Sequence, residues 1–405
     1  MSLFSKIFQQ TSWQVLGKII TSLSTFIILG LVARNYGKEG TGIFTLALTY
    51  LSMFYILADF GFNAHVLRRV ESLESRVKGE WNKLLGTRIL WSVLLVVLAV
   101  GMLPFWPFST ELFTKAVLFG GLTIIASSVF TTANLIFQSK LRYDLSVLSS
   151  GFGTLVGLAV FVLLSVSESP IPFLVLAHFI SWIFIALAAV FLIRKLILNV
   201  IPIFDMRYTL NLFKDSWPIA ATLALNVIYF RADAFMIAYF KSMADAGVYN
   251  VAYSVFQSAL VLPTFIMNSY YPMMLKTFKG VKFVVTGLLV LSFFGPLATI
   301  FLAPGIIQIL TGGNFGGSVT SLQILSLGFP AFFVSSLLMW ILVATGRYKS
   351  MFLIYTSGLI LNLILNFVYI PKYSYIGASW TTVISEYFIL GMQVVVLLFV
   401  KVNRR

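Results

Sequence analysis

Lys18, Asp59, Arg231, Asp233 and Glu386 interrupt stretches that are otherwise apolar enough to lie in lipid. A charge at the centre of a membrane helix costs at least ~2.5–3.5 kcal/mol on insertion scales, so each of the five needs water, a partner or a function. Arg231 and Asp233 stand two positions apart in "NVIYFRADAFMIAYF". On a helix that spacing separates them by roughly 160°, so they cannot neutralise each other on one face. An arginine turned into a watery cavity suits an anionic ligand. A carboxylate there suits a coupling proton or sodium ion, for gating or transport. Either can instead be a strut between helices. Lys18 opens a stretch with Thr21, Ser22, Ser24 and Thr25, so its helix has a polar face. It can face the cavity or reach back to the headgroups. Asp59 precedes a basic segment and is expected to anchor a gate with Arg68 or Arg69. Glu386 lies at a depth similar to Asn362 and Asn366, which share a face at i and i+4. The three can hold an ion or fasten two helices together. Tyr249, Tyr253 and Gln257 form a stripe at successive i+4 steps, fit for stacking on sugar rings or for ordinary packing.

The elements that carry these residues follow from composition. The chain has 405 residues, 59% of them hydrophobic and 10% charged. Its mean hydropathy is +0.97. A soluble domain carries about 25% charged residues. Apolar blocks of roughly 18 or more residues, each able to cross ~30 Å of hydrocarbon, recur from end to end. The expected fold is an all-α polytopic membrane protein of about twelve transmembrane helices. Alternating ten-residue segments of a β-barrel are absent. The expected spans are 12–33, 40–66, 84–108, 113–138, 147–166, 170–193, 215–240, 246–275, 282–303, 317–344, 350–370 and 376–400. The first is read as a retained helix, since no small-residue cleavage site follows it.

Nineteen lysines and arginines fall at the N-terminus, in every second connection and in the tail. Against them stand Arg34, Lys38, Lys115, Lys241 and Lys372 on the other side. That imbalance places both termini in the cytoplasm. It also accounts for the net charge of +15 without a nucleic-acid partner. The longest connections, about 20 residues, leave no room for a soluble nucleotide-binding domain. No phosphate-binding loop of the G-x-x-x-x-G-K-[ST] type is present, and "TGGNFGGS" reads as a turn. With no cysteine and two unclustered histidines, His65 and His178, no metal site or other cofactor is expected beyond a coupling ion.

"GIFTLALT" at Gly42–Thr49 is echoed by "GVYNVAYS" at Gly247–Ser254, 205 positions later. Each copy opens the second helix of a six-helix half. The reading is a duplication into parallel repeats, 1–200 and 201–405, forming two six-helix bundles around a central cavity.

Four stretches resemble one known family: "ARNYGKEGTGIFTLALTYLSMFYILADFGF", "YFRADAFMIAYFKSMADAGVYNVAYSVF", "LTGGNFGGSVTSLQILSL" and "VATGRYKSMFLIYTSGLILNLILNFVYIPKYSYIGASWTTVISE". In order and spacing they are similar to Wzx-type polysaccharide transporters, the O-antigen flippases of the multidrug/oligosaccharidyl-lipid/polysaccharide exporter superfamily. The resemblance implies a bacterial inner-membrane protein that moves an undecaprenyl-diphosphate-linked oligosaccharide from the cytoplasmic to the periplasmic leaflet. It implies cavity cations, Arg231 and Lys18, that meet the diphosphate. Partners expected on this basis are the lipid-linked substrate, the bilayer, and a polysaccharide polymerase with its chain-length regulator. The alternatives are a multidrug or small-solute antiporter of the same superfamily, and a membrane polymerase or glycosyltransferase. Short, acid-poor non-cytoplasmic loops count against the enzyme.

Overall fold

The computed structural model describes residues 3–63, 65–66, 77–140, 142–194, 196, 201–276 and 280–398. Among them the chain is helical, with no strand. The helices are α1 (Leu3–Asp59), α2 (Val77–Gly101), α3 (Glu111–Gly120), α4 (Thr123–Ser139), α5 (Tyr143–Val166), α6 (Ile171–Ile193) and α7 (Met206–Phe240). They continue as α8 (Met243–Ala259), α9 (Val261–Lys276), α10 (Val281–Thr311), α11 (Gly316–Ser326), α12 (Phe329–Ala344) and α13 (Tyr348–Leu398). Helices suit this chain because lipid offers no partner to an unpaired backbone group, and a helix pairs its own.

Seven helices are long and apolar enough to cross a membrane among the described residues, or nine if each of two bent pairs is one span. Twelve remains the sequence expectation. The two longest, α1 and α13, are each two helices joined at a kink, at Gly37 (φ 64°, ψ −165°) and at Ser374 (φ 52°, ψ −135°). Gly37 takes its conformation without a Cβ penalty. Ser374 does not, and a non-glycine residue there costs about 1–3 kcal/mol. Its hydroxyl donates to Asp245 Oδ2 at 2.6 Å, which offsets part of that cost. Glu168, in the α5–α6 connection, has the same φ of 52°, 206 positions before Ser374.

The chain divides into two compact units, Met1–Tyr36 with Ile43–Val227, and Gly37–Gly42 with Ile228–Arg405. The division therefore differs from the expected 1–200 and 201–405. It falls inside α7, between Val227 and Ile228. The N-terminal segment of α7 is fastened within the first unit. Thr209 and Thr87 share a hydroxyl hydrogen bond of 2.8 Å, and Phe213 packs between Phe60, Phe62 and Trp91. Just before α7, Lys83 Nζ donates to Asp205 Oδ2 at 2.7 Å.

In the second unit, Gly37–Gly42 lies on the start of α8. A Cβ on Gly42 would stand 1.7 Å from the carbonyl oxygen of Met243, and one on Gly247 would stand 2.3 Å from that of Lys38. The side-chain space at the leading glycine of each similar stretch is thus filled by a backbone carbonyl from the approach to the other.

Candidate functional site

Most of the polar residues singled out above converge in the second unit. Asp233 is 4% exposed and accepts three hydrogen bonds. Tyr249 Oη donates to its Oδ2 at 2.8 Å, Thr382 Oγ1 to the same oxygen at 2.9 Å, and Asn366 Nδ2 to Oδ1 at 2.5 Å. Asn366 Nδ2 also donates to Asn362 Oδ1 at 2.9 Å, and Thr381 donates to Asn366 Oδ1. One helical turn from Thr382, Glu386 accepts from Tyr229. Tyr229 and Asp233 stand at i and i+4 on α7, as do Thr382 and Glu386 on α13, so the pairs are one turn apart along their helices.

Hydrogen bonds to a charged group contribute about 1.5–3 kcal/mol each, so three of them match or exceed the insertion cost of one carboxylate. Asp233 is therefore compensated without a counter-ion. Its neighbours offer oxygen atoms of carboxylate, amide and hydroxyl type, a donor set suited to a hard cation or a proton. No cluster of three or more histidines, cysteines and acids exists among the described residues.

Arg231 has a different environment. It is half-buried and joins none of the five salt bridges found among the described residues. It lies within electrostatic reach of Tyr253. The tyrosine stripe is divided in role. Tyr249 is 1% exposed, stacked on Tyr253 at 5.5 Å and engaged with Asp233, which places its ring in packing. Gln257, at the end of the stripe, is exposed. Lys18 is exposed on α1.

Asp59 pairs with a residue that the sequence reading left out. Arg88 Nη2 donates to Asp59 Oδ1 and to Asn63 Oδ1, both at 2.7 Å, and Nη1 donates to Thr132 Oγ1 at 3.1 Å. Arg88 is wholly buried. The expected partners Arg68 and Arg69 lie outside the described residues. The clamp spans a reversal in which Phe60 and Gly61 both have positive φ, 45° and 73°. In the same unit His178 accepts from Trp182 Nε1 at 3.1 Å, which makes it a packed side chain.

Thr381, Thr382, Tyr229 and Arg88 were missed. The i, i+4 spacing of Tyr229 with Asp233 and of Thr382 with Glu386 was the available signal. Arg88 had none beyond its presence in an apolar run, because its partners come from two distant segments.

Comparison with known proteins agrees with this architecture. The family described as polysaccharide biosynthesis protein matches residues 7–278. A Shigella dysenteriae protein assigned as an O-antigen transporter is 21% identical over 390 residues, covering 93% of this chain and 94% of that protein. In structure the chain is similar to the lipid II flippase MurJ in its inward closed conformation. That match has a TM-score of 0.79 and 17% identity, over 96% of this chain and 88% of the other. An inward-facing multidrug resistance transporter of the MATE family matches with a TM-score of 0.68 and 12% identity, over 93% of each chain. With a match over more than half its length, the chain belongs to the polysaccharide biosynthesis protein family and is a multi-pass membrane protein whose relatives and structural neighbours are transporters and flippases.

Proposed function

We propose that this protein flips an undecaprenyl-diphosphate-linked oligosaccharide, an O-antigen or similar surface-glycan repeat unit. Transport runs from the cytoplasmic to the periplasmic leaflet of a bacterial inner membrane by alternating access, with both termini in the cytoplasm. The observation that carries the reading is Arg231, a membrane-embedded cation with no ion-pair partner among the described residues. An uncompensated arginine costs stability unless something anionic visits it. A diphosphate is such a visitor, met by charge-assisted hydrogen bonds. The organic cations of a drug antiporter are repelled by it. The exposed Lys18 and Gln257 are placed on the substrate path, and Tyr253 beside Arg231.

Asp233, with Asn362, Asn366 and Thr382, is proposed as the coupling-ion site, taking a proton or a sodium ion, and Glu386 with Tyr229 as its neighbour. Asp59 with Arg88 is proposed as a gate support. Delivery of the flipped unit to a polymerase and its chain-length regulator follows from the same reading.

The test is translocation in proteoliposomes, scored by access of an impermeant glycosidase to a polyprenyl-diphosphate oligosaccharide. Protein-dependent crossing is expected. Arg231→Ala should lower it by roughly ten- to a hundredfold, the loss of one or two charge-assisted contacts, and Arg231→Lys by less. Unchanged crossing by a folded Arg231→Ala protein would remove this residue from the mechanism. Folded protein that moves no such lipid would overturn the flippase reading.

A further inference from the structure

A lipid-linked substrate poses a second problem that Arg231 does not address. Its headgroup has to pass the membrane, while its long apolar chain has to remain in hydrocarbon. Each CH₂ exposed to water costs about 0.8 kcal/mol, so a long isoprenoid chain cannot follow its sugar through water. The chain needs a track on the lipid-facing side of the protein. That track should be an apolar cleft open to the bilayer, starting at headgroup level beside a cation free to meet the diphosphate.

One end of α6 in the first unit has these features. Between α5 and α6 lies a cleft of about 420 Å³, lined chiefly by Leu148, Phe152, Phe184, Leu187, Ala188 and Phe191. Phe152 and Phe184 meet edge to face across it, with centroids 6.1 Å apart. From Phe184 to Phe191 the α6 wall runs roughly 10 Å along the helix axis. Three residues beyond Phe191, Arg194 caps α6. It is exposed and joins no salt bridge among the described residues.

Arg194 also lines a second cavity of about 260 Å³, whose other polar wall is Thr132. The next cations are Lys140, exposed at the end of α4, and Arg142. Asp144 holds Arg142 through both of its oxygens, leaving Lys140 and Arg194 to face an anion. All of these stand at the end that the basic-residue imbalance assigns to the cytoplasm. The helices touch closely at Gly153, where a Cβ would stand 2.5 Å from Ile185 N, which closes the floor of the cleft. The exposed cation at its end selects an anionic lipid.

We propose that the α5–α6 cleft is the docking track for the polyprenyl chain of the transported lipid, with Arg194 meeting its diphosphate in the cytoplasmic leaflet. This rests on the flippase reading above, and it adds the place where the lipid is captured and the residues that hold its tail.

The test uses the purified full chain in liposomes and a diazirine-bearing polyprenyl diphosphate that carries no sugar. Photo-adducts are expected within 148–152 and 184–192. Unlabelled polyprenyl diphosphate in excess should compete for them, and the same excess of phosphatidylglycerol should not. Leu187→Trp fills the cleft from a lipid-exposed position, and Arg194→Gln removes the cation at an exposed helix end. Each should lower labelling by roughly tenfold, equivalent to about 1.4 kcal/mol, while gel-filtration behaviour is unchanged.

Adducts that map to other helices would overturn the track. Equal competition by phosphatidylglycerol would overturn it too, by making the cleft an ordinary lipid site. Sugar crossing with adducts elsewhere sinks the track and spares the transport reading. Competed adducts at the cleft without sugar crossing do the reverse.

Discussion

Three buried or half-buried charges in this protein have three different solutions. Asp233 is solvated by donors, Arg88 by a carboxylate and two neutral oxygens, and Arg231 by nothing charged among the described residues. These differences fix what each substitution should do. Arg88→Ala strands Asp59 and Asn63 and should cost about 3–5 kcal/mol, the usual penalty for breaking a buried pair. Thermal melting in detergent checks this, and removing both charges with Asp59→Asn and Arg88→Gln should recover part of the loss. Asp233→Asn keeps the size of the side chain but loses the charge. It should leave the fold intact and make transport insensitive to the sodium and proton gradients. A transport rate that still follows either gradient in Asp233→Asn would move the ion site elsewhere. At this scale the sequence was legible where spacing is local. Asn362 and Asn366 share a face and contribute as neighbours, and the opposed faces of Arg231 and Asp233 account for their separate environments. Arg88 was illegible because its meaning comes from Asp59, Asn63 and Thr132, 25 to 44 positions away.

Helices in this chain end and turn for identifiable reasons. Ser242 caps α8 by accepting from Asp245 N at 3.0 Å, and Thr110 caps α3 by accepting from Phe113 N at 3.2 Å. The kinks at Gly37 and Ser374 were read in the sequence only as polar breaks between spans. Nothing in "YGKEG" or "PKYSY" tells that helix resumes within a residue. Gly42→Ala should be a severe change, since its Cβ would fall on a backbone oxygen that cannot rotate away. A loss of at least about 2–4 kcal/mol, or failure to accumulate in the membrane, is expected. Gly79→Ala, where a Cβ meets nothing, is the control. Just ahead of α7, the hydrogen bond from Lys83 holds the Asp205 carboxyl below its ordinary range. A depressed folded-state value means that the contribution is present above the unfolded pKa of about 3.9 and is lost as pH falls through the folded one. Asp205→Asn should therefore flatten the acid limb of a melting-temperature profile and leave neutral pH nearly unchanged, because the pair is partly exposed and screened.

The molecule as a whole was legible in class, because composition alone requires a helical membrane protein. The division between Val227 and Ile228 has no signal in the sequence, because α7 is continuous and apolar across that point. The proposed orientation has a direct check, because the chain holds no cysteine and any introduced thiol is the sole one. Lys115→Cys should react with an impermeant maleimide on intact cells, and Lys140→Cys only after permeabilisation. Both positions are exposed. The reverse pattern would invert the topology and with it the direction of transport. The contact between Gly42 and Gly247 has an evolutionary consequence. Similar stretches of one chain are free to drift apart wherever a substitution at one site is invisible to the other. Here the backbone leading into each stretch, at Met243 and at Lys38, forbids a side chain on the first glycine of the other, so drift at either is barred. A likeness between the two stretches is kept at these glycines because the fold gives neither of them room to change.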